Sequence, residues 1–174
     1  MSILKVARLG HPILRAKARK VDRREIKTPQ MQRLVDDMIA TMHEYRGIGL
    51  AAPQIHCDLR LFVVATLQDG VDVDAGSVIA LFNPELMVVG SEMAEDWEGC
   101  LSIPGIQGLV PRARDIVVAA MDREGNRIEF QARDLRARVI QHEHDHIDGV
   151  LFVDRMKDRS LVYLDQSSES APAF

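Results

Sequence analysis

The chain has 174 residues, 47% hydrophobic and 28% charged, with a formal net charge of −4. That length and balance suit one globular domain with a sizeable core, and they give no electrostatic case for specific nucleic-acid binding. No stretch is long and apolar enough to span a bilayer, and two cysteines in unlike settings are a poor disulfide framework, which favours a reducing compartment.

In chain order, Thr28 caps and Pro29 opens a helix. Met31, Leu34, Val35, Met38 and Met42 recur along it at helical spacing, and Gly47 ends it. This Met-rich stripe reads as core rather than as a ligand site. Residues 60–67 and 77–82 read as strands, with a polar loop at 69–76 between them, and 87–89 as another strand. Residues 116–121 and 127–132 form a hairpin about Asp122–Asn126. A helix follows, with Asp134 as N-cap, an apolar stripe of Leu135, Val139 and Ile140, and Gly149 as the stop. Residues 151–153 read as a short strand and 160–165 as a last strand or half a helix. The Ser-rich 167–174 reads as a disordered tail. No internal repeat or interdomain linker is visible, so the organisation is single-domain α+β.

The helix from Asp134 carries Gln141-His142-Glu143-His144-Asp145-His146, which contains H-E-x-x-H. At 3.6 residues per turn, His142 and His146 stack on one face and can share one metal ion. Glu143 lies about 100° round the helix, close enough to serve a metal-activated water but not to be a third ligand on that face. The bland reading is a polar, His-rich helix face. His144 lies about 200° from His142 and reads as surface or satisfied core.

A catalytic metal site needs a third protein ligand. The extended zinc-protease pattern would place it at position 152, which is Phe152, and little chain remains downstream. The third ligand must come from upstream. Cys57 has no supporting motif and reads as inert packing. Cys100, in Glu98-Gly99-Cys100-Leu101-Ser102, is either a ligand helped by the freedom of Gly99 or a buried cysteine at a strand end. Gly47-Ile48-Gly49-Leu50-Ala51-Ala52-Pro53-Gln54 divides between a packed turn and a loop against which a substrate backbone could lie.

Taken together, these three segments resemble, in order and spacing, the signature motifs of peptide deformylase. Gly10-His11-Pro12, Asn83-Pro84 and Val110-Pro111-Arg112 resemble it as well, and the likeness runs from about residue 3 to 156. The resemblance implies small, mainly antiparallel sheets around a central metal-binding helix, in a catalytic domain spanning 1–166. It implies one divalent metal on Cys100, His142 and His146: ferrous iron in the cell, with zinc, nickel or cobalt able to replace it. Glu143 would be the general acid/base, and Gln54 and Leu101 the oxyanion donors. Gly49 would contact the substrate, with Ile48, Glu98, Gly99, Leu135 and Val139 along its pocket. The implied activity removes the formyl group from N-terminal formyl-methionine, releasing formate, in protein biosynthesis.

Substrates would be N-formyl-methionyl peptides, and a ribosomal partner near the exit tunnel is left open. No membrane or specific nucleic-acid partner is expected. The Lys/Arg-rich residues 1–24 do not read as a transit peptide, because Gly10-His11-Pro12 already matches the domain, and no secretory signal is visible; a cytoplasmic location is expected. Two other readings stand beside this one. One is a zinc metalloprotease cutting internal peptide bonds; the other is an inactive metal-binding or ribosome-associated protein. Gln107 stands where the family often has Arg near the cleft, which leaves open the peptide preference beyond the first residue.

Overall fold

A computed structural model describes residues 1–66 and 78–164. The expected loop at 69–76 and tail at 167–174 lie outside the described residues, as do the ends of the segments expected at 60–67, 77–82 and 160–165. The helices are α1 (Arg23–Ile26), α2 (Pro29–Glu44) and α3 (Asp134–Ile147). The strands are β1 (Gly49–Ala51), β2 (Leu61–Ala65), β3 (Val78–Val88), β4 (Met93–Cys100), β5 (Ile103–Ala113), β6 (Asp115–Met121), β7 (Arg127–Arg133) and β8 (Val162–Tyr163). All strand pairs are antiparallel, in a five-stranded sheet of order β1-β2-β3-β6-β7 and a three-stranded sheet of order β4-β5-β8. No helix among the described residues is long and apolar enough to cross a membrane.

Strand alternation explains the layering. On β2, Leu61 and Val63 face one way and join Met31, Val35, Met38 and Met42 of α2 in one core. Phe62 and Val64 face the other way and join Ala137, Val139 and Ile140 of α3. The five-stranded sheet is thus held between two helices. The Thr28 hydroxyl accepts from Met31 N–H as expected. A 16-residue helix is marginal in water, so the buried Met stripe decides its stability, at roughly 1.5–3 kcal/mol per buried side chain. A third, smaller core of Ala7, Leu14, Cys100, Ile103, Val110, Leu151 and Phe152 includes residues of the second sheet.

Three local expectations change, and one element is added. The strands expected at 77–82 and 87–89 belong to a single strand, β3. Asn83-Pro84 does not end it, because Asn83 takes φ 48° at a register shift and its amide is pinned to Val21 N–H and C=O, each at 2.8 Å. Asp134 is not the N-cap of α3. The chain passes from β7 into the helix with no linker, so Asp134 turns the backbone at φ 48° and its carboxylate meets Arg114. The segment at 151–153 is no strand: Phe152–Asp154 is a 3-10 turn, whose Asp154 carboxylate accepts from Leu151 N–H at 2.8 Å. The long β4–β5 hairpin is an element with no predicted counterpart, since its prolines, glycines and acidic outer face mask the strand pattern.

An N-terminal segment closes the molecule. Ala7 N–H donates to Gln54 C=O (2.7 Å) and Leu9 N–H to Ser102 C=O (2.9 Å), while the Arg8 guanidinium donates to Leu101 C=O.

Candidate metal centre

The α3 helix brings His142 and His146 onto one buried face, with ring centroids 5.0 Å apart. The β4–β5 hairpin delivers Cys100 to them at its turn. The ligand atoms of Cys100, His142 and His146 all lie within 4.8 Å of one another, and Cys100 Sγ is 3.3 Å from His146 Nε2. Phe152, the residue that ruled out the extended protease pattern, stacks on the His142 ring at 6.3 Å.

The donor chemistry fits a metal cation. Burial pushes the Cys100 thiol up to about 12, so a thiolate there requires a positive charge beside it. Burial, then His142, holds His146 well below the usual imidazole range, which leaves it neutral with a lone pair to donate. Glu143 is wholly buried and neither of its carboxylate oxygens has a hydrogen-bond partner among the described residues. Burial, then the charge of Glu98, raises its proton affinity well above that of an ordinary carboxyl. A buried carboxyl left unpartnered is costly, so its presence beside the ligand trio points to a reactant that binds there.

Gly49 on β1 makes that carboxylate possible. A Cβ at this position would collide with the Glu143 carboxyl group. Gln54 is fully buried in the 3-10 turn after β1. Its Oε1 accepts from Ala51 N–H (2.8 Å), and its Nε2 points at Cys100 Sγ (3.6 Å) and Ser102 Oγ (3.4 Å). Leu101 follows Cys100 directly and packs into the α2 core. Ser102 N–H lies 3.4 Å from Cys100 Sγ. Ile48 and Val139 share one apolar cluster. Leu135, expected with them, stands 44% exposed in the first turn of α3.

One expectation along the cleft is corrected. Glu98 does not face the cleft: its side chain is fully buried and both its oxygens are engaged. His142 Nδ1 donates to Oε2 at 2.9 Å, Arg112 forks onto both oxygens at 2.9 Å each, and Arg138 donates to Oε1 at 2.8 Å. Burial alone would raise this carboxyl, but Arg112 and His142 outweigh it and hold it well below the usual range. Ionised Glu98 thereby fixes the His142 tautomer, with Nε2 left for a metal. Gly99 is buried beside Gln107, where a Cβ would make ordinary contact at 3.5 Å with that side chain.

Sequence reasoning missed Arg112, Arg138 and Asp145. The Asp145 carboxylate accepts from Arg112 and from both nitrogens of the Arg155 fork, at 2.6 and 2.7 Å. His144 lies away from the trio as expected, with Asp148 at 3.4 Å and Arg60 at 3.4 Å.

A paired-histidine helix, a thiol and a buried proton-accepting carboxyl, set between two antiparallel sheets, define a metal-dependent hydrolase. Residues 3–161 match the family model described as polypeptide deformylase. The chain belongs to the peptide deformylase family. It is 43% identical over 157 residues to peptide deformylase 2 of Nostoc sp., covering 89% of this chain and 87% of that protein. It is 44% identical over 155 residues to the peptide deformylase of Carboxydothermus hydrogenoformans, covering 89% and 94%. The Met-Ala-Ser-bound crystal structure of a class I type b peptide deformylase from Acinetobacter baumannii superposes with a TM-score of 0.83 at 37% identity, covering 90% of this chain and 100% of that one. Neither an internal-peptide metalloprotease nor an inactive binding protein finds support among these relatives.

Proposed function

We propose that this chain removes the formyl group from N-formyl-methionyl peptides, with Cys100, His142 and His146 as the metal ligands and Glu143 as the proton carrier. The observation that carries the reading is the buried Glu143 carboxyl, without a hydrogen-bond partner among the described residues, beside the Cys100/His142/His146 group. A bound divalent ion would supply Lewis acidity, lowering the pKa of a water and polarising the formyl oxygen. Ferrous iron is the metal proposed for the cell, with zinc, nickel or cobalt as replacements.

The protein groups do the rest. Glu143 takes a proton from the attacking water and delivers one to the leaving amine. Gln54 Nε2–H and Leu101 N–H donate to the oxyanion of the tetrahedral intermediate. Each such donor is typically worth about 3 kcal/mol. Gly49 admits the substrate backbone beside Glu143. Ile48 and Val139, with Leu135 at the rim, form an apolar pocket for an unbranched side chain such as Met. The catalytic domain is proposed to span 1–166. A cytoplasmic location and contact with the ribosome near its exit tunnel are part of the same proposal, because nascent formylated chains are found there.

The test is turnover of formyl-Met-Ala-Ser in anaerobic buffer with ferrous iron, beside the unformylated peptide. Release of formate without cleavage of internal bonds is expected; internal cleavage would overturn the reading. Metal analysis should give one ion per chain in wild type and in Cys57→Ser, and a strong loss of affinity in Cys100→Ser. Equal metal content in the two variants would sink the ligand assignment. Formyl-Met peptides should outcompete formyl-Asp peptides in kcat/KM, since a carboxylate in an apolar pocket is desolvated without a partner. A preference for the acidic peptide would refute the apolar pocket.

A further inference from the structure

The three proposed ligands come from two separate elements: Cys100 from the β4–β5 hairpin, and His142 and His146 from α3. The distance between hairpin and helix therefore decides whether the trio can close on one ion. Several side chains cross that gap: Gln141 pairs with the Ala113 backbone on β5, Arg112 reaches Asp145, His142 reaches Glu98, and Arg138 reaches both strands. Arg138 sits on α3 one turn before His142 and is 4% exposed. Its guanidinium donates to Ala94 C=O on β4 (2.7 Å), to Val110 C=O on β5 (2.8 Å) and to Glu98 Oε1 on β4 (2.8 Å). The same Glu98 carboxylate holds His142 Nδ1.

We propose that Arg138 is a positioning residue for the metal group, acting on both halves at once. Through the two carbonyls it locks the hairpin that carries Cys100 against the helix that carries the histidines. Through Glu98 it fixes the carboxylate that orients the His142 ring. Arg112 shares the carboxylate but reaches it from β5 within the hairpin, and its third contact goes to Asp145. Arg138 is thus the residue that ties α3 directly to both strands of the hairpin and to Glu98. A planar fork with several donors suits three acceptors in fixed directions; a lysine ammonium does not reproduce it. Disturbing the partner that orients a ligand, here Glu98 on His142, typically costs about 10–100-fold in metal affinity.

This inference rests on the ligand assignment above, and its test does not depend on deformylation. Wild type, Arg138→Lys and Arg138→Met are loaded with cobalt. Release to a chelator, the visible cobalt spectrum, and the melting temperature with and without metal are then measured. Release should accelerate about 10–100-fold in Arg138→Met and less in Arg138→Lys, with a shifted cobalt spectrum in both. If the variants melt earlier but release cobalt at the wild-type rate with an unchanged spectrum, Arg138 is only a packing tie and the proposal fails. Should Arg138→Met not fold, Arg138→Lys decides by the same two readouts. A wild-type protein that binds cobalt as expected but releases no formate would overturn the functional reading and leave this one standing.

Discussion

Glu143→Gln should keep its metal and its fold while turnover of formyl-Met-Ala-Ser falls about 10²–10⁴-fold, the usual worth of general acid/base work. The amide has the volume of the carboxyl, so the close packing against Gly49 survives. What disappears is the ability to take and return a proton. Metal analysis and a thermal melt beside the kinetics separate this from unfolding. His144→Ala is the internal control: its ring meets Arg60 and Asp148, away from the ligand trio, so activity should stay near wild type with at most a modest loss of stability. An essential His144 with a dispensable Glu143 would invert the helix-face assignment.

Gln54→Leu should lose about 10²–10³-fold in kcat with a smaller change in KM, as for a contact that strengthens in the transition state. The structure adds a second effect. Gln54 Oε1 is the acceptor for the buried Ala51 N–H, so Leu also strands that donor, at about 1–3 kcal/mol of stability. Gln54→Glu retains the acceptor and removes the donor. A large kcat loss in both variants, against a stability loss mainly in Leu, assigns the rate effect to the Nε2 donor. Hydroxamate inhibitors, which bind through the metal, should still bind measurably to Gln54→Leu. Near-normal turnover there would make the segment from Gly47 to Gln54 packing alone.

The metal helix was legible because its information is local. His142, Glu143 and His146 lie within five residues, and helical geometry alone separates their directions. The α2 core stripe was legible for the same reason. Cys100 was ambiguous on its own, since a buried cysteine at a strand end and a ligand have the same sequence signature. Only the hairpin, which bends Cys100 back to the histidines, separates the two readings. Glu98 was misplaced because its partners lie 14, 40 and 44 residues away, on β5 and α3. Nothing near it in sequence announces a carboxylate that will face inward under two arginines. The roles of Arg112, Arg138 and Asp145 were hidden for that reason, although Arg112 and Asp145 lie in quoted motifs: what a charged residue pairs with shows only once burial and mutual contacts are seen. Gly49 was placed beside the substrate, but its direct contact with Glu143 depends on β1 passing against α3. The β4–β5 hairpin was obscured by its own composition, because Pro104, Gly105, Gly108 and Pro111 punctuate it as a loop would.

The seam made by residues 7–9 has a consequence for when the enzyme comes into being. It ties the N-terminal segment to Gln54, Leu101 and Ser102, the last two contacts each across a separation of 93 residues. Contacts so far apart along the chain close more slowly than neighbouring hairpins such as β6–β7. During synthesis the seam emerges before anything it can be sewn to, and the histidines on α3 emerge long afterwards. Partial chains that end before His146 therefore contain no complete ligand trio, however well their early sheets form. Activity in this design is a whole-molecule property, so the onset of turnover during refolding marks the last long-range closure and cannot report on any subdomain.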